Sequence, residues 1–352
     1  MRTKNATFRS NMITYGMVII AFVIVMILQS TGMVSSLIKG LLVPLCVYSI
    51  LAVSLNLTVG ILGELSLGHA GFMCVGAFTS ALFSKLMVEV IPVSGVRFVL
   101  AIIIGAACAG FCGFLIGIPV LRLKGDYLAI VTLAFGEIIK NIANAIFLGK
   151  DSRGFHFSLK DNMSLGLEPG GETIIKGPQG ITGTPKDSTF LIGIILLLIT
   201  LFIVLNLINS RSGRAIMAIR DNRIAAESVG INITKYKLMA FSISAALAGV
   251  AGVLYAHNLS TLTALPKNFG YNMSIMILVF VVLGGIGNIR GSIIAAVILT
   301  MLPEMLRSLS DLRMLIYAII LIATMLITNN QKVKEFIAAR KNKGESAEGE
   351  AK

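Results

Sequence analysis

Glu64 and His69 carry ionisable groups inside an apolar stretch. The segment Gly60–Phe78, GILGELSLGHAGFMCVGAF, also holds Ser66 and the glycines Gly60, Gly63, Gly68, Gly71 and Gly76. Ionisable groups at membrane depth are costly and usually face a bundle interior or a wet cavity. Glycines at this density predict a broken or closely packed helix whose backbone groups become available to a solute. Glu64, Ser66, Gly68 and His69 are therefore candidates to line a path for a polar molecule. The plainer alternative is that Glu64 and His69 lie near a membrane interface and reach out to water. Glu137 and Lys140, three residues apart, can pair on one helix face.

Other chemistry is missing. There is no G-x-x-x-x-G-K-[ST], so the chain is not expected to bind or hydrolyse ATP. There is no H-E-x-x-H and no G-x-S-x-G. His69, His156 and His257 are far apart in sequence, and no metal, cofactor or catalytic residue is expected. Cys46, Cys74, Cys108 and Cys112 sit in apolar surroundings with no histidine or further cysteine pair, and read as small buried hydrophobes. The glycines of GGIGNIRGS (Gly284–Ser292) lack dinucleotide-binding spacing and read as a tight helix break. Acidic residues within the apolar runs are few, namely Glu64, Glu137 and Glu304. That scarcity disfavours a carrier driven by an ion gradient. An intramembrane enzyme built on His69 with Glu64 would need a second polar cluster on another run, and none is visible.

The elements that must position these residues are membrane helices. The 352 residues are 56% hydrophobic and 13% charged, with mean hydropathy +0.88. An ordinary soluble domain has about a quarter of its residues charged. A net charge of +13 could suggest nucleic acid. The cations, however, sit at the ends of apolar runs or in short loops, which is membrane topology and not a phosphate-binding patch. The runs are Met12–Leu28, Leu37–Val59, the stretch continuing through Gly60–Phe78, Phe98–Ile118, Tyr127–Phe147, Phe190–Ile208, Leu238–Ala256, Met273–Leu283, Ile293–Leu302 and Arg313–Thr328. They predict an all-α polytopic membrane helix bundle of about ten transmembrane helices, with N- and C-termini cytoplasmic. The runs near 60–82 and 273–302 could instead be re-entrant. Gly105, Ala109, Gly113 and Gly117 recur every fourth residue, a small-residue stripe that admits a second helix closely. Residues 1–328 read as one transmembrane domain and 329–352 as a charged cytoplasmic tail. The balanced charges of 148–189 place that loop outside the cell, either as a small exterior subdomain that touches a partner or as plain connection.

The longest one-sided basic interruption is Asn209–Lys237. Arg211, Arg214, Arg220, Arg223, Lys235 and Lys237 face only Asp221 and Glu227. Short basic loops lie on the cytoplasmic side. Asn222 can cap a short helix begun by Arg223, Gly230 can end it, and Thr234 can cap the next span. An ordered helix at the inner face follows from this reading. A solvated basic turn that only sets topology is the bland alternative.

Several stretches together resemble a known family: ELSLGHAGF (Glu64–Phe72), LRLKGDYLAIVTLAFGEII (Leu121–Ile139), GPQGITGTP (Gly177–Pro185), GRAIMAIRDNRIAAESVGINITKYKLMAFSISAALAGVAGVLYA (Gly213–Ala256) and GGIGNIRGSIIAA (Gly284–Ala296). The resemblance is to the membrane permeases of bacterial branched-chain amino acid ABC importers, of the LivM type. It runs from about Leu41 to Thr328. It implies a second, related permease, two cytoplasmic ATPase subunits and an extracytoplasmic binding protein as partners. It further implies that Gly213–Gly230 is the coupling helix through which the ATPases act. Gly213, Arg214, Arg220, Asp221, Asn222, Ala225, Ala226, Glu227 and Gly230 are its candidate residues, with Arg220, Asp221 and Glu227 foremost for docking and Ala225 and Ala226 permitting close approach. Relatives that import urea or short amides leave the solute open.

Overall fold

The computed structural model describes residues 4–31, 35–123, 125–306 and isolated positions between 315 and 326. Contacts divide the chain into two units, Met1–Val297 and Ile298–Lys352. The helices are α1 (Lys4–Ser30), α2 (Ser36–Asn56), α3 (His69–Leu86), α4 (Ser94–Val120), α5 (Asp126–Ala145), α6 (Phe190–Asn209), α7 (Arg211–Asp221), α8 (Arg223–Ser228), α9 (Ile233–Ala256), α10 (Pro266–Phe269), α11 (Tyr271–Gly284) and α12 (Ile289–Met305). Among the described residues seven stretches are long and apolar enough to cross a membrane: Asn11–Ser30, Ile38–Leu62, Ser94–Val120, Asp126–Ala145, Phe190–Asn209, Ile233–Ala256 and Pro266–Gly284.

Three of the ten expected runs are not among these seven. The run through Gly60–Phe78 is not a continuous span. A π-helical turn, Leu57–Leu62, extends α2, and Gly63 at φ 79° stops it. An irregular stretch over 63–68 then leads into α3, which has 18 residues. The GGIGNIRGS segment is a tight reversal, with Gly285 and Gly287 at φ 90° and 82°, where a side chain would be strained. The helix after it, α12, has 17 residues. The expected last span, Arg313–Thr328, and the tail 329–352 fall almost wholly outside the described residues.

Helix α9 is the centre of the bundle and packs against α2, α3 and α4. Its contacts depend on missing side chains. The α4 stripe meets α9 along its length: a Cβ on Gly105 would strike Val253, one on Gly113 would strike Ala245, and one on Gly249 would strike Ala109. On the α3 side, a Cβ on Gly76 would run into the Gly249 backbone, and one on Gly252 into the Met73 carbonyl. Small residues at these positions let backbones approach where lipid supplies no hydrophobic drive. Cys46 and Cys74 are buried in the core, whereas Cys108 and Cys112 are half-buried, and all four are free thiols.

The all-α expectation is corrected at one end of the bundle. The loop after α5 folds into β1 (Phe147–Asp151), β2 (Gly154–Ser158), β3 (Glu172–Lys176) and β4 (Ile181–Thr182), and β5 (Thr261–Leu262) joins them. The five strands form an antiparallel sheet in the order β2-β1-β3-β4-β5. Alternation of apolar and polar residues over five-residue strands is too short to stand out against membrane-length runs. Arg97 at the start of α4 pairs with Asp187 at 3.1 Å and fastens the end of this loop to the bundle. Asp151 closes the β1–β2 hairpin by accepting from the Arg153 amide at 2.8 Å and from Gly154 at 3.2 Å. Loss of solvent opposes its charge, but the Arg153 and Glu168 amides and His156 outweigh that and hold the carboxyl below the usual aspartate range.

Candidate functional site

The basic interruption is an ordered elbow of two helices, not one. Ser210 caps α7, accepting from Gly213 N–H at 3.1 Å, and its companion Asn222 caps α8, accepting from Ala225 N–H at 3.0 Å. Asn222 has extended backbone angles, so the expected helix over Gly213–Gly230 is broken there. Gly230, at φ 83°, lies just past the end of α8. Asn232, not Thr234, caps α9. Gly213 lies against the carbonyls of Leu207 and Ile208, which allows the sharp turn out of α6. Arg214 reaches back to the Asn209 carbonyl at 3.2 Å.

One face of the elbow is fastened inward. Ile216 joins Leu57, Ile61 and Leu62 of the π-turn in a small apolar cluster with Ala240 of α9. Ile219, Ala226 and Ile233 form a second cluster. Ala226 is 3% exposed, so it packs inward and is not presented to a partner. The outward face holds Ile224, 81% exposed, and Val229, 75% exposed, beside exposed Asp221, Ala225 and Glu227. Ile224 and Val229 escaped the sequence reading because isolated apolar residues in a polar loop carry no periodic signal.

Two cations, Arg220 of α7 and Lys237 of α9, hold the end of the broken helix. Arg220 donates to the Gly60 carbonyl at 2.8 Å, and also contacts neighbouring Asp221 at 3.0 Å. A helix end leaves its last carbonyls without intrahelical partners, and a guanidinium there satisfies one and complements the helix dipole. The arginine stem lies where a Cβ on Gly63 would be. Lys237 of α9 pairs with Glu64 just beyond the π-turn. Glu64 is thus neutralised in place by a cation 173 residues away.

The remaining candidate path residues lie deeper. His69 is 2% exposed and bonds Ser54 at 2.7 Å. Gly68 lies against the Thr132 carbonyl, and the Thr132 side-chain hydroxyl accepts from Leu67 N–H at 3.0 Å. Ser66 is 1% exposed and its hydroxyl has no hydrogen-bond partner among the described residues. The structure therefore places Glu64, Ser66 and Gly68 in one irregular segment, with Glu64 at its elbow end, and His69 on the first turn of α3 that follows it. It adds a polar ladder that sequence reasoning missed, on the last turns of α2. Thr58 donates to Ser244 at 2.8 Å, and Asn56 bonds Ser292 at 2.7 Å and accepts from Gly287 N–H at 2.9 Å. Ser54, Asn56 and Thr58 thereby link α2 to α3, to the α11–α12 reversal and to α9. Their polarity just ahead of the glycine run was the available signal. Glu137 and Lys140 pair as expected, and Glu137 also accepts from Tyr271 N–H at the start of α11 at 2.8 Å.

These features define a polytopic helical membrane protein whose polar elbow grips the end of a broken core helix. The chain belongs to the branched-chain amino acid transport system permease component family, whose sequence pattern matches residues 37–325. It is 35% identical over 290 residues to the high-affinity branched-chain amino acid transport system permease protein LivM of Salmonella typhimurium, covering 80% of this chain and 66% of that one. It thus spans just under two thirds of that relative. It is 26% identical to the corresponding permease protein BraD of Pseudomonas aeruginosa, over 75% of this chain and 82% of that one. It is 25% identical to LivH of Salmonella typhimurium, over 72% of this chain and 79% of that one. No solved structure matches the chain.

Proposed function

We propose that the chain is the membrane permease subunit of an ABC importer that moves branched-chain amino acids into the bacterial cytoplasm, using ATP hydrolysed by separate subunits. The family assignment and the LivM, BraD and LivH relatives support the class of solute. The observation that carries the mechanism is the attachment of the elbow to the helix break through Arg220 on Gly60, next to the Lys237–Glu64 pair that ties the start of α9 to the same break. In this reading both termini and the elbow face the cytoplasm, and the sheet lies outside.

The elbow is the docking point for two ATPase subunits, and a second, related permease completes the pathway. The exposed Ile224 and Val229 supply apolar contact, while Asp221 and Glu227 supply charge. Movement of α7 draws on the Gly60 carbonyl and on the π-turn packed against Ile216. The irregular segment 63–68 follows because it begins at Gly63. Its backbone groups and the Ser66 hydroxyl can then meet the charged ends of a neutral zwitterion, while its apolar side chain passes along the helix walls. An extracytoplasmic binding protein delivers the amino acid on the sheet side.

The test is reconstitution of the chain with a LivH-type permease, two ATPase subunits and a binding protein in proteoliposomes. ATP-dependent uptake of labelled leucine, competed by valine and isoleucine but not by urea, supports the reading. Uptake that proceeds without the ATPase subunits, or uptake of urea in preference to leucine, overturns it.

A further inference from the structure

One apolar row crosses all five strands of the sheet. Leu262 of β5 stands opposite Ile181 of β4, Ile181 opposite Ile175 of β3, Ile175 opposite Leu148 of β1, and Leu148 opposite Phe157 of β2. Directly opposed residues project from the same face of a sheet. Leu262 and Ile181 are fully buried and Ile175 nearly so, and all three join the bundle core, with Leu148 packed against it. Strands β3, β4 and β5 lie on α3. This face of the sheet therefore looks toward the helices. Its opposite face is closed by the loop, where Leu167 covers Gly149 and Leu165 is buried.

Phe157 ends the row and is 61% exposed. Phe155, two residues earlier on the same face, is 62% exposed, and Leu159 beyond the strand is 61% exposed. Strand β2 is the edge of the sheet. It overhangs the bundle, and among the described residues nothing covers the two rings. An exposed apolar stripe of this kind marks an interaction surface.

The direction of the face and the charges around it decide the occupant. Strand β1 starts two residues after α5 ends at Ala145, so the hairpin begins at the level where a membrane span finishes. Helix α5 approaches that level with Ile130, Ile138 and Ile142 exposed, as on a lipid-facing side. Lys150, opposite Phe155 on the same face, is exposed; Glu172 on its inner side is held by Lys85 at 2.8 Å, and Lys160 follows Leu159 at the outer edge. Aromatic rings with lysines beside them match a bilayer interface, where rings sit at headgroup level and ammonium groups meet phosphates. We infer that the β1–β2 hairpin is seated on the outer leaflet, with Phe155 and Phe157 inserted between lipid headgroups and Lys150 and Lys160 against the phosphates. The bilayer covers the end of the apolar row that the bundle leaves bare. The sheet is thereby moored to the membrane with its loop-covered face turned to water. This holds whichever solute is carried.

The chain contains no tryptophan. Phe157→Trp and Phe155→Trp, made separately in the full-length chain, each give a single reporter. The proteins are placed in nanodiscs whose lipids are brominated either near the headgroup or near the chain end. The expected result is blue-shifted emission that loses most of its intensity to the shallow bromines and little to the deep ones. Phe111→Trp, on the exposed middle of α4, shows the reverse order. Water-like emission insensitive to both lipids at 155 and 157 overturns the inference. So does a blue shift that develops only when a second permease is added, without lipid quenching, because protein then covers the stripe.

Discussion

Arg220 holds the carbonyl of Gly60 at 2.8 Å, across 160 residues of sequence. One partner is in the elbow and the other on the last turn before a core helix breaks. That turn is π-helical, a geometry frequent at functional sites. Its carbonyl is available because the helix stops at Gly63. A loop that would otherwise only connect α6 and α9 is therefore bonded to the segment that interrupts the bundle.

The outward face of the elbow is expected to be the surface the ATPases push. Replacing Asp221 and Glu227 with lysine leaves the inward clusters intact but inverts the exposed charge. ATP hydrolysis in the assembled transporter is expected to become uncoupled from uptake, with uptake reduced at least about tenfold, the equivalent of about 1.4 kcal/mol of coupling. Ile224→Asp removes apolar contact and is expected to weaken ATPase co-purification. Unchanged uptake in the double variant would remove these residues from the docking surface.

The Lys237–Glu64 pair is largely buried, with side-chain exposures of 8% and 14%. Removing one partner from a buried pair leaves an uncompensated charge and costs about 3–5 kcal/mol, whereas removing both costs less. Lys237→Met is therefore expected to lower the thermal midpoint of the detergent-solubilised protein sharply. Adding Glu64→Gln is expected to recover much of the loss. Additive losses in the double-mutant cycle would mean that the two side chains do not interact.

Gly249 sits where α9 is pressed from both sides, by Ala109 of α4 and by Gly76 of α3. Gly249→Leu overpacks that crossing and is expected to cost about 1–3 kcal/mol or more. Gly95→Leu is the control, since a side chain there meets open space. Melting curves of the two variants distinguish a packing requirement from a general intolerance of leucine for glycine.

Spacing made some of this legible and distance hid the rest. The four-residue repeat of Gly105, Ala109, Gly113 and Gly117 announced a close helix crossing, and α9 supplies it. Asn222 announced a cap within the basic loop, and it accepts from Ala225. Glycine density around Glu64 announced a broken helix. What stayed hidden depends on tertiary contact. No local pattern pairs Glu64 with Lys237 or Gly60 with Arg220, and none turns Ala226 inward while leaving Ile224 outside. The sheet was missed because its strands are short and its fifth, Thr261–Leu262, arrives from beyond α9. Gly63 and the Gly284–Asn288 reversal interrupt the two stretches that composition left open between spanning and re-entrant, and the expected last span lies almost wholly outside the described residues.

The most direct test is Arg220→Ala in the fully reconstituted transporter, with ATP hydrolysis and leucine uptake measured on the same vesicles. A hydrogen bond to a charged group contributes about 1.5–3 kcal/mol, so losing the grip on Gly60 is expected to cut uptake about tenfold or more while hydrolysis continues. Uptake and hydrolysis both at the level of the unaltered protein would contradict transmission through this bond.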